Sequence, residues 1–362
     1  MPEVWIPYGD VETLVTVDAE NIGSVINPDP EKSAGETDRL SEKLRRAGRL
    51  FVCDSAPTTV ELLRDLAPAV TATQALRVVA KDPKKIELSV PELKGKISDP
   101  MQPAADVASN EHLGANCEKV FLGTATPDPL FGIADPKVAA CRNWVAGSVE
   151  EAAQKRKDME PTPFEKTDAY AAMEEISSRI PQASYVTVVP RAGRVRSAME
   201  DAPFEAIRNG FYTEAVPSAK ALIVGAGGSG CDETLSNALR SIWGVLGCVR
   251  KSGEVLLLAE CSRGLGSQAL EMLVTGRIAG EGGRRREKYV PGLEEVYYLH
   301  RLKEDYDVML LSGLPELYAK SKLGLATAKG SGEAMGRLMS RAGRTAKVNV
   351  VARASECRIE SA

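Results

Sequence analysis

The sequence predicts an α/β protein built from two Rossmann-like, doubly wound domains, and three observations lead there. From about residue 213 strand-like runs alternate with helical patterns, which implies parallel pairing. Earlier, "RLFVCD", "SAPTT" and "VELLRDLAPAV" give the same strand, turn and helix sequence. Finally, 362 residues of 43% hydrophobic content bury a core that divides most naturally into two domains. The expected division is 1–212 and 213–362, with the last strand free to return to the first domain. Open α/β sheets bind ligands beyond the carboxyl ends of their strands, so the site is expected in the cleft between the two domains.

The elements follow in chain order. "VWIPYGDVETLVTV" holds two β-branched runs joined by a Gly-Asp turn and reads as a strand pair. In the βα unit that follows, Thr58 and Glu61 are spaced as a capping box, and Asp54 stands where the strand ends and the helix begins. A polar residue there is either a site residue or a turn aspartate satisfying local amides. Residues 74–116 give mixed signals of short strands and loops. "CEKVFLGTATPDPLFGIADPK" is a strand running into a long Gly/Pro-rich loop suited to ligand contact. Two charged helical patterns between residues 144 and 180 flank "EPTPFE", with Lys155, Arg156 and Lys157 reading as a solvated face.

"ASYVTVVP" is a strand and "AMEDAPFEAIRNGF" a helix. The regular half then runs from "KALIVG" through "ETLSNALRSIWGVLGCV", "EVLLLAE", "SQALEMLVTG", "LEEVYYLHRLKEDY", "VMLLSG" and "GEAMGRLMSRAG" to "KVNVVA". The basic run 282–288 reads as an exposed loop, with steering of an anionic substrate as a second reading.

Composition narrows the function. With 46 basic and 50 acidic residues the net charge is -4, so no global basic field recruits nucleic acid or an anionic membrane. No apolar run reaches the roughly eighteen residues of a spanning helix and no hydrophobic leader follows the Met, which points to the cytoplasm. The seven cysteines contain no C-x-x-C pair and read as reduced thiols. The two histidines, His112 and His300, lie far apart, which speaks against structural zinc and against any mechanism needing several imidazoles.

The run "ALIVGAGGSGCDETLSNALRS" carries Gly225, Gly227 and Gly230 in a G-x-G-x-x-G pattern after a strand and before a helix. An NAD-dependent oxidoreductase is one reading, and a tight strand-to-helix turn the other. Against a dinucleotide, Asp232 and Glu233 compete with phosphate for the free amides, and Glu260 comes later than the ribose-binding acid should.

"GAGGSGCDETLSNALRS", "GEVLLLAECSRGLGS" and "SGEAMGRLMSRAG" leading to "KVNVV" together resemble the second domain of the nickel-dependent lactate racemase family, the most specific piece being "AECSRGLGS" at 259–267. The first half resembles that family more loosely, through "WIPYG", "CDSAPTT" and "LGTATPDPLFGIADPK". The resemblance implies a lysine-held nickel-pincer nicotinic acid nucleotide that takes a hydride from C2 of lactate, two proton-exchanging histidines and a metal-binding histidine. Carried onto this chain, Lys137 matches the anchoring lysine, Asp128 stands beside Pro127 where a histidine is expected, and Asp54 matches the early acid. Asn237 and Arg240 match a Gln and a Lys that hold substrate, Gly227 and Gly228 lie at the cofactor-facing turn, and Cys141 offers a soft ligand in place of the metal-binding histidine. The arginine after the early acid and the histidines are missing. The implied function is a racemase or epimerase acting on a small 2-hydroxy-acid-like anion. The alternative is a small-anion-binding or regulatory homologue that has lost the chemistry and the cofactor; the oligomeric state is not legible.

Overall fold

Alternating buried residues along short parallel strands give each sheet two apolar faces, and the helices cover both. The fold is seen in a computed structural model that describes residues 3–29, 37–98, 111–114, 116–278 and 289–362. The basic run 282–288 and residues 99–110 lie outside the described residues. The chain opens with an antiparallel pair, β1 (Glu3–Tyr8) and β2 (Val11–Thr16), turning at Gly9, and then β3 (Ile22–Ile26).

Residues 29–211 form one compact unit. It runs α1 (Thr37–Arg46), β4 (Arg49–Val52), α2 (Pro57–Ala72), β5 (Arg77–Ala80), α3 (Pro83–Ser89), β6 (Ile97–Ser98), α4 (Glu111–Gly114), β7 (Lys119–Thr124), β8 (Thr126–Asp128), β9 (Gly132–Ala134), α5 (Pro136–Trp144), α6 (Ser148–Lys155), α7 (Asp168–Ser178), β10 (Ala183–Arg191), β11 (Arg194–Glu200) and α8 (Phe204–Gly210). The sheet order is β11-β10-β7-β4-β5-β6, parallel except for the antiparallel edge strand β11. Leu50 and Val52 point with Val120 and Leu122 into one core, which Leu40 and Leu44 of α1 and Leu63 and Leu66 of α2 complete. The alternate residues Phe51, Phe121 and Tyr185 stack across three strands at centroid separations of 4.5 and 5.2 Å, and Trp144 of α5 closes edge-on over Phe51. The period-two pattern therefore winds this sheet on both sides.

The second unit contains β12 (Tyr212–Val216), β13 (Ala219–Gly225), α9 (Leu235–Ile242), β14 (Val249–Leu258), α10 (Gln268–Val274), α11 (Leu293–Asp305), β15 (Asp307–Leu311), β16 (Ala326–Thr327), α12 (Ser331–Ala342), β17 (Val348–Val351) and β18 (Cys357–Ser361). Its sheet order is β16-β15-β14-β13-β17-β3, all parallel. Residues 1–28 belong to this unit, which corrects the division at 1–212. The reason is hydrophobic: Val4, Ile6 and Val15 of the opening pair share a core with Ile223, Leu256 and Met309 of the sheet and Leu338 of α12. The last strand stays home as well, pairing with β12.

Asn349 of β17 fastens this return of the N-terminal segment. Buried to 1%, it accepts from the Ser24 amide at 2.8 Å and donates to the Pro217 and Cys248 carbonyls at 2.9 and 2.8 Å. An apolar replacement strands one donor and two acceptors. Asn349→Leu is therefore expected to lower the stability of this unit by about 3 kcal/mol. Urea unfolding read through Trp5 and Trp243, both in that unit, measures it. A loss below about 1 kcal/mol would show that the segment holds without this side chain.

Candidate functional site

Strand order in the middle unit reverses between β7 and β4, so the chains leaving these neighbours diverge and leave a crevice at their carboxyl ends. Asp54 lies just past β4. Its Oδ1 accepts from the Ala56 amide at 2.9 Å and the Thr59 hydroxyl at 2.7 Å, and its Oδ2 from the Thr124 amide at 2.7 Å. The Thr58 and Thr59 hydroxyls each stand 2.8 Å from that of Thr124. Desolvation pushes the Asp54 carboxyl above the usual aspartate range, and the pull of these donors and of Lys81 does not cancel it.

The expected capping box does not form. Pro57, needing no N–H partner, opens α2 with Ala56 as its cap residue, and Glu61 accepts instead from the Val195 amide at 3.0 Å. Lys81, the first residue beyond β5, acts electrostatically on both Asp54 and Cys53. Sequence reasoning passed over it, although the only signal needed was a charge following the strand "RVVA".

In the loop after β7 the predicted residues are present and engaged. Asp128, 1% exposed, accepts from the Leu130 and Phe131 amides at 2.9 and 3.1 Å and pairs with Arg142 at 3.1 Å. The guanidinium lies 5.2 Å from the Phe131 ring centre. Oδ1 thus forms the turn and Oδ2 holds the guanidinium, a poor setting for a general base. Asp135 caps α5 through the Val138 amide at 3.0 Å and receives the Tyr170 hydroxyl at 2.8 Å, with burial raising its pKa. Lys137 does not pair with it: Nζ donates to the Ala202 carbonyl at 3.2 Å and stands 3.6 Å from Glu174, which also holds Lys166 at 2.7 Å. Arg156, read from sequence as solvated, has a side chain 7% exposed and donates to the Leu130 carbonyl and the Thr162 hydroxyl.

The glycine-rich turn has a packing explanation. A side chain on Gly225 would strike the Ala352 carbonyl and Ile6, one on Gly227 the Ser355 hydroxyl, and one on Gly228 the Pro7 ring. Gly227 and Gly228 also have φ of +127° and +77°, where L side chains are strained. The direction a side chain would take from these two glycines is occupied by the protein's own residues, and α9 begins only at Leu235, capped by Thr234. Close packing thus accounts for Gly225, Gly227 and Gly228 without a bound dinucleotide.

Asp232, wholly buried, accepts from the Gly9 amide at 2.7 Å and, at 3.4 Å, from that of Glu260; its Oδ1 has no partner among the described residues. Burial raises its pKa, and Tyr8 beside it is pushed up to about 12 by burial and by Cys261, Glu260 and Asp232.

The two expected substrate ligands on α9 also have internal partners. Asn237 donates to the Gly230 carbonyl at 3.2 Å. Arg240 pairs with buried Glu295 and donates to the Ser236 hydroxyl at 2.9 Å. Burial alone would raise the Glu295 carboxyl, but the Arg240 guanidinium and the Ser236 and Ser267 hydroxyls hold it below its ordinary range. Neither an open substrate clamp nor an exposed helix face describes this pair.

The lysine-held nickel-pincer group that the resemblance implies requires a reactive amine and donors converging on a metal. Lys137 is engaged, and Cys141 is buried against the Met173 carbonyl with its thiol pushed up to about 12 by burial and by Asp135. Among the described residues no three His, Cys, Asp or Glu side chains are grouped to hold a metal. The residues present do not fit that group. Among the same residues no helix is long and apolar enough to cross a membrane.

Asp232 supplies a test of this geometry. Because its folded pKa is raised, the stability it contributes is complete below its unfolded pKa, about 4, and is lost as pH rises through the folded value. Asp54 and Asp135 act in the same direction, so the comparison must isolate one residue. Asp232→Asn, which keeps the acceptor for Gly9, is expected to gain stability relative to the wild type as pH rises from 4 to 8 in urea titrations. A difference independent of pH would mean that Asp232 is not protonated preferentially in the fold.

No known protein family matches the sequence, and no curated protein does. Among solved structures, the lactate racemase apoprotein from Thermoanaerobacterium thermosaccharolyticum covers 99% of this chain and 100% of its own at TM-score 0.67 and 14% identity. A Thermotoga maritima protein solved by a structural genomics consortium covers 90% and 96% at TM-score 0.55 and 11% identity. End to end, the fold of this chain is similar to that of the lactate racemase apoprotein.

Proposed function

We propose that this lactate-racemase-like protein binds a small 2-hydroxy-acid-like anion and does not racemise it. The observation that carries the reading is the state of the groups racemisation would use: Asp128, Lys137 and Arg240 are each held by an internal carboxylate or guanidinium partner. Proton exchange on both faces of a carbon needs a base on each side. Among the described side chains the only imidazole is that of His300, within α11. At the strand ends of the middle unit, the positive charge of Lys81 acts on the crevice where Asp54 sits, the sign that draws an anion. The retained Asp54 and the fold support a place for the same class of anion.

The isomerase reading, with Lys137 holding a nicotinic-derived cofactor, makes a separate demand. The amine would have to leave Glu174 and Ala202 and react as the neutral base. Intact mass of protein from its native host distinguishes the two: an adduct on Lys137 supports the isomerase, and the unmodified chain is expected. Chiral analysis from each lactate enantiomer is expected to show no interconversion, and rapid interconversion by metal-loaded protein would overturn the proposal.

Ligand affinity gives a positive test. For whichever 2-hydroxy acid binds, Lys81→Ala is expected to weaken it about tenfold, the effect of losing a charged hydrogen bond. Arg240→Ala should leave that affinity unchanged once folding is verified, because its guanidinium is spent on Glu295. The reverse pattern, in a calorimetric titration, would move the anion site to α9.

A further inference from the structure

We propose that the second unit carries a separate binding site for a free α-amino acid with an apolar side chain. The site is a hollow of about 370 Å³, within the range of small-molecule pockets, walled by the segment after β14, by α10 and by the segment after β15. It therefore lies past the carboxyl ends of two parallel strands, where such sheets place ligands.

The chemistry of the walls selects the occupant. Leu265, Val274 and the ring of Tyr318 supply apolar surface, and Tyr318 is 39% exposed, area that a ligand would cover. Glu271 of α10 and Thr275, which caps its C-terminus, are joined by the bond from the Thr275 amide to the Glu271 carbonyl, and both line the hollow. The Thr275 hydroxyl proton goes to the Glu271 carbonyl at 2.8 Å, which leaves its oxygen as an acceptor. No described cation pairs with the Glu271 carboxylate. Carboxylate and hydroxyl oxygens together suit an ammonium.

On the opposite sign, Arg263 also lines the hollow. Its backbone is tied to Glu233 at 2.8 Å, and its guanidinium, 3.5 Å from the Glu233 carboxylate, keeps half of its side chain open. A simple carboxylate meets Arg263 but also the Glu271 charge, and a simple amine meets the reverse. A zwitterion satisfies both, and the apolar wall takes its side chain.

The experiment titrates the intact protein with L-leucine by calorimetry, against 4-methylpentanoate, which lacks the ammonium, 3-methylbutylamine, which lacks the carboxylate, and 2-hydroxy-4-methylpentanoate. Saturable binding of L-leucine is expected, with each control weaker by about tenfold or more, and with Glu271→Gln and Arg263→Gln each weakening L-leucine about tenfold. Both side chains are at the surface, so the fold survives their loss. Binding of 4-methylpentanoate as tight as L-leucine, L-leucine binding unmoved by both substitutions, or no binding at millimolar concentration would each overturn the site. A 2-hydroxy acid that binds with an affinity insensitive to Glu271→Gln reports on the anion site of the middle unit and leaves the two tests distinct.

Discussion

Everything in this chain is organised around one constraint: where a parallel strand ends, the backbone must turn away from the sheet, and the amides it exposes must find acceptors in a dry place. Three buried or half-buried aspartates meet it. Asp54 collects Ala56 and Thr124 at the end of β4, Asp135 collects Val138 at the start of α5, and Asp232 collects Gly9 and Glu260 beyond β13. Each is raised in pKa by desolvation, because the donors only partly offset the loss of water. A carboxyl that holds a crossover together in this way resembles a catalytic acid in position, yet both oxygens of Asp54 and of Asp135 already accept hydrogen bonds.

This explains which parts of the fold were legible. The alternation of strand and helix after residue 213 is a property of hydrophobic period, and period is local. The α/β class and the βα unit around Asp54 follow from it. The place of residues 3–26 does not: β3 joins β17 more than three hundred residues away, through Val25 facing Val350 and the Asn349 side chain on Ser24, and no local pattern announces a partner at that distance. Short strands such as β6 and β12 were missed for a related reason, since two to five residues carry little period of their own.

The site was legible in residue type and illegible in partnership. The resemblance to the lactate racemase family singled out Lys137, Asp128 and Arg240, which lie in α5, at the end of β8 and in the last turn of α9. Their partners are Glu174, Arg142 and Glu295, on other helices. A charge read from sequence is open by default and becomes a strut only when a distant opposite charge packs against it. Glu295, 55 residues from Arg240 and held ionised in a buried setting by it and by two serines, is such a case. Breaking one half of a buried pair leaves the other charge stranded, so these pairs act as fasteners of α9 and α11, or of α5 and its neighbours.

Fold and chemistry then separate along residue types. The fold is similar to that of the lactate racemase apoprotein over the whole chain at 14% identity, and this sequence builds it from apolar strands, close-packed glycines and acceptors at strand ends. Proton transfer on two faces of a carbon asks for bases that are free to gain and lose a proton, and the aspartate beside Pro127 is instead closed into a turn by two amides and a guanidinium. The glycines make the same point in reverse. They fit a dinucleotide pattern on paper, yet Gly225 and Gly227 are small because Ile6, Ala352 and Ser355 crowd the turn, as Pro7 crowds the neighbouring Gly228. A glycine-rich turn reports close approach, and only the structure says what approaches.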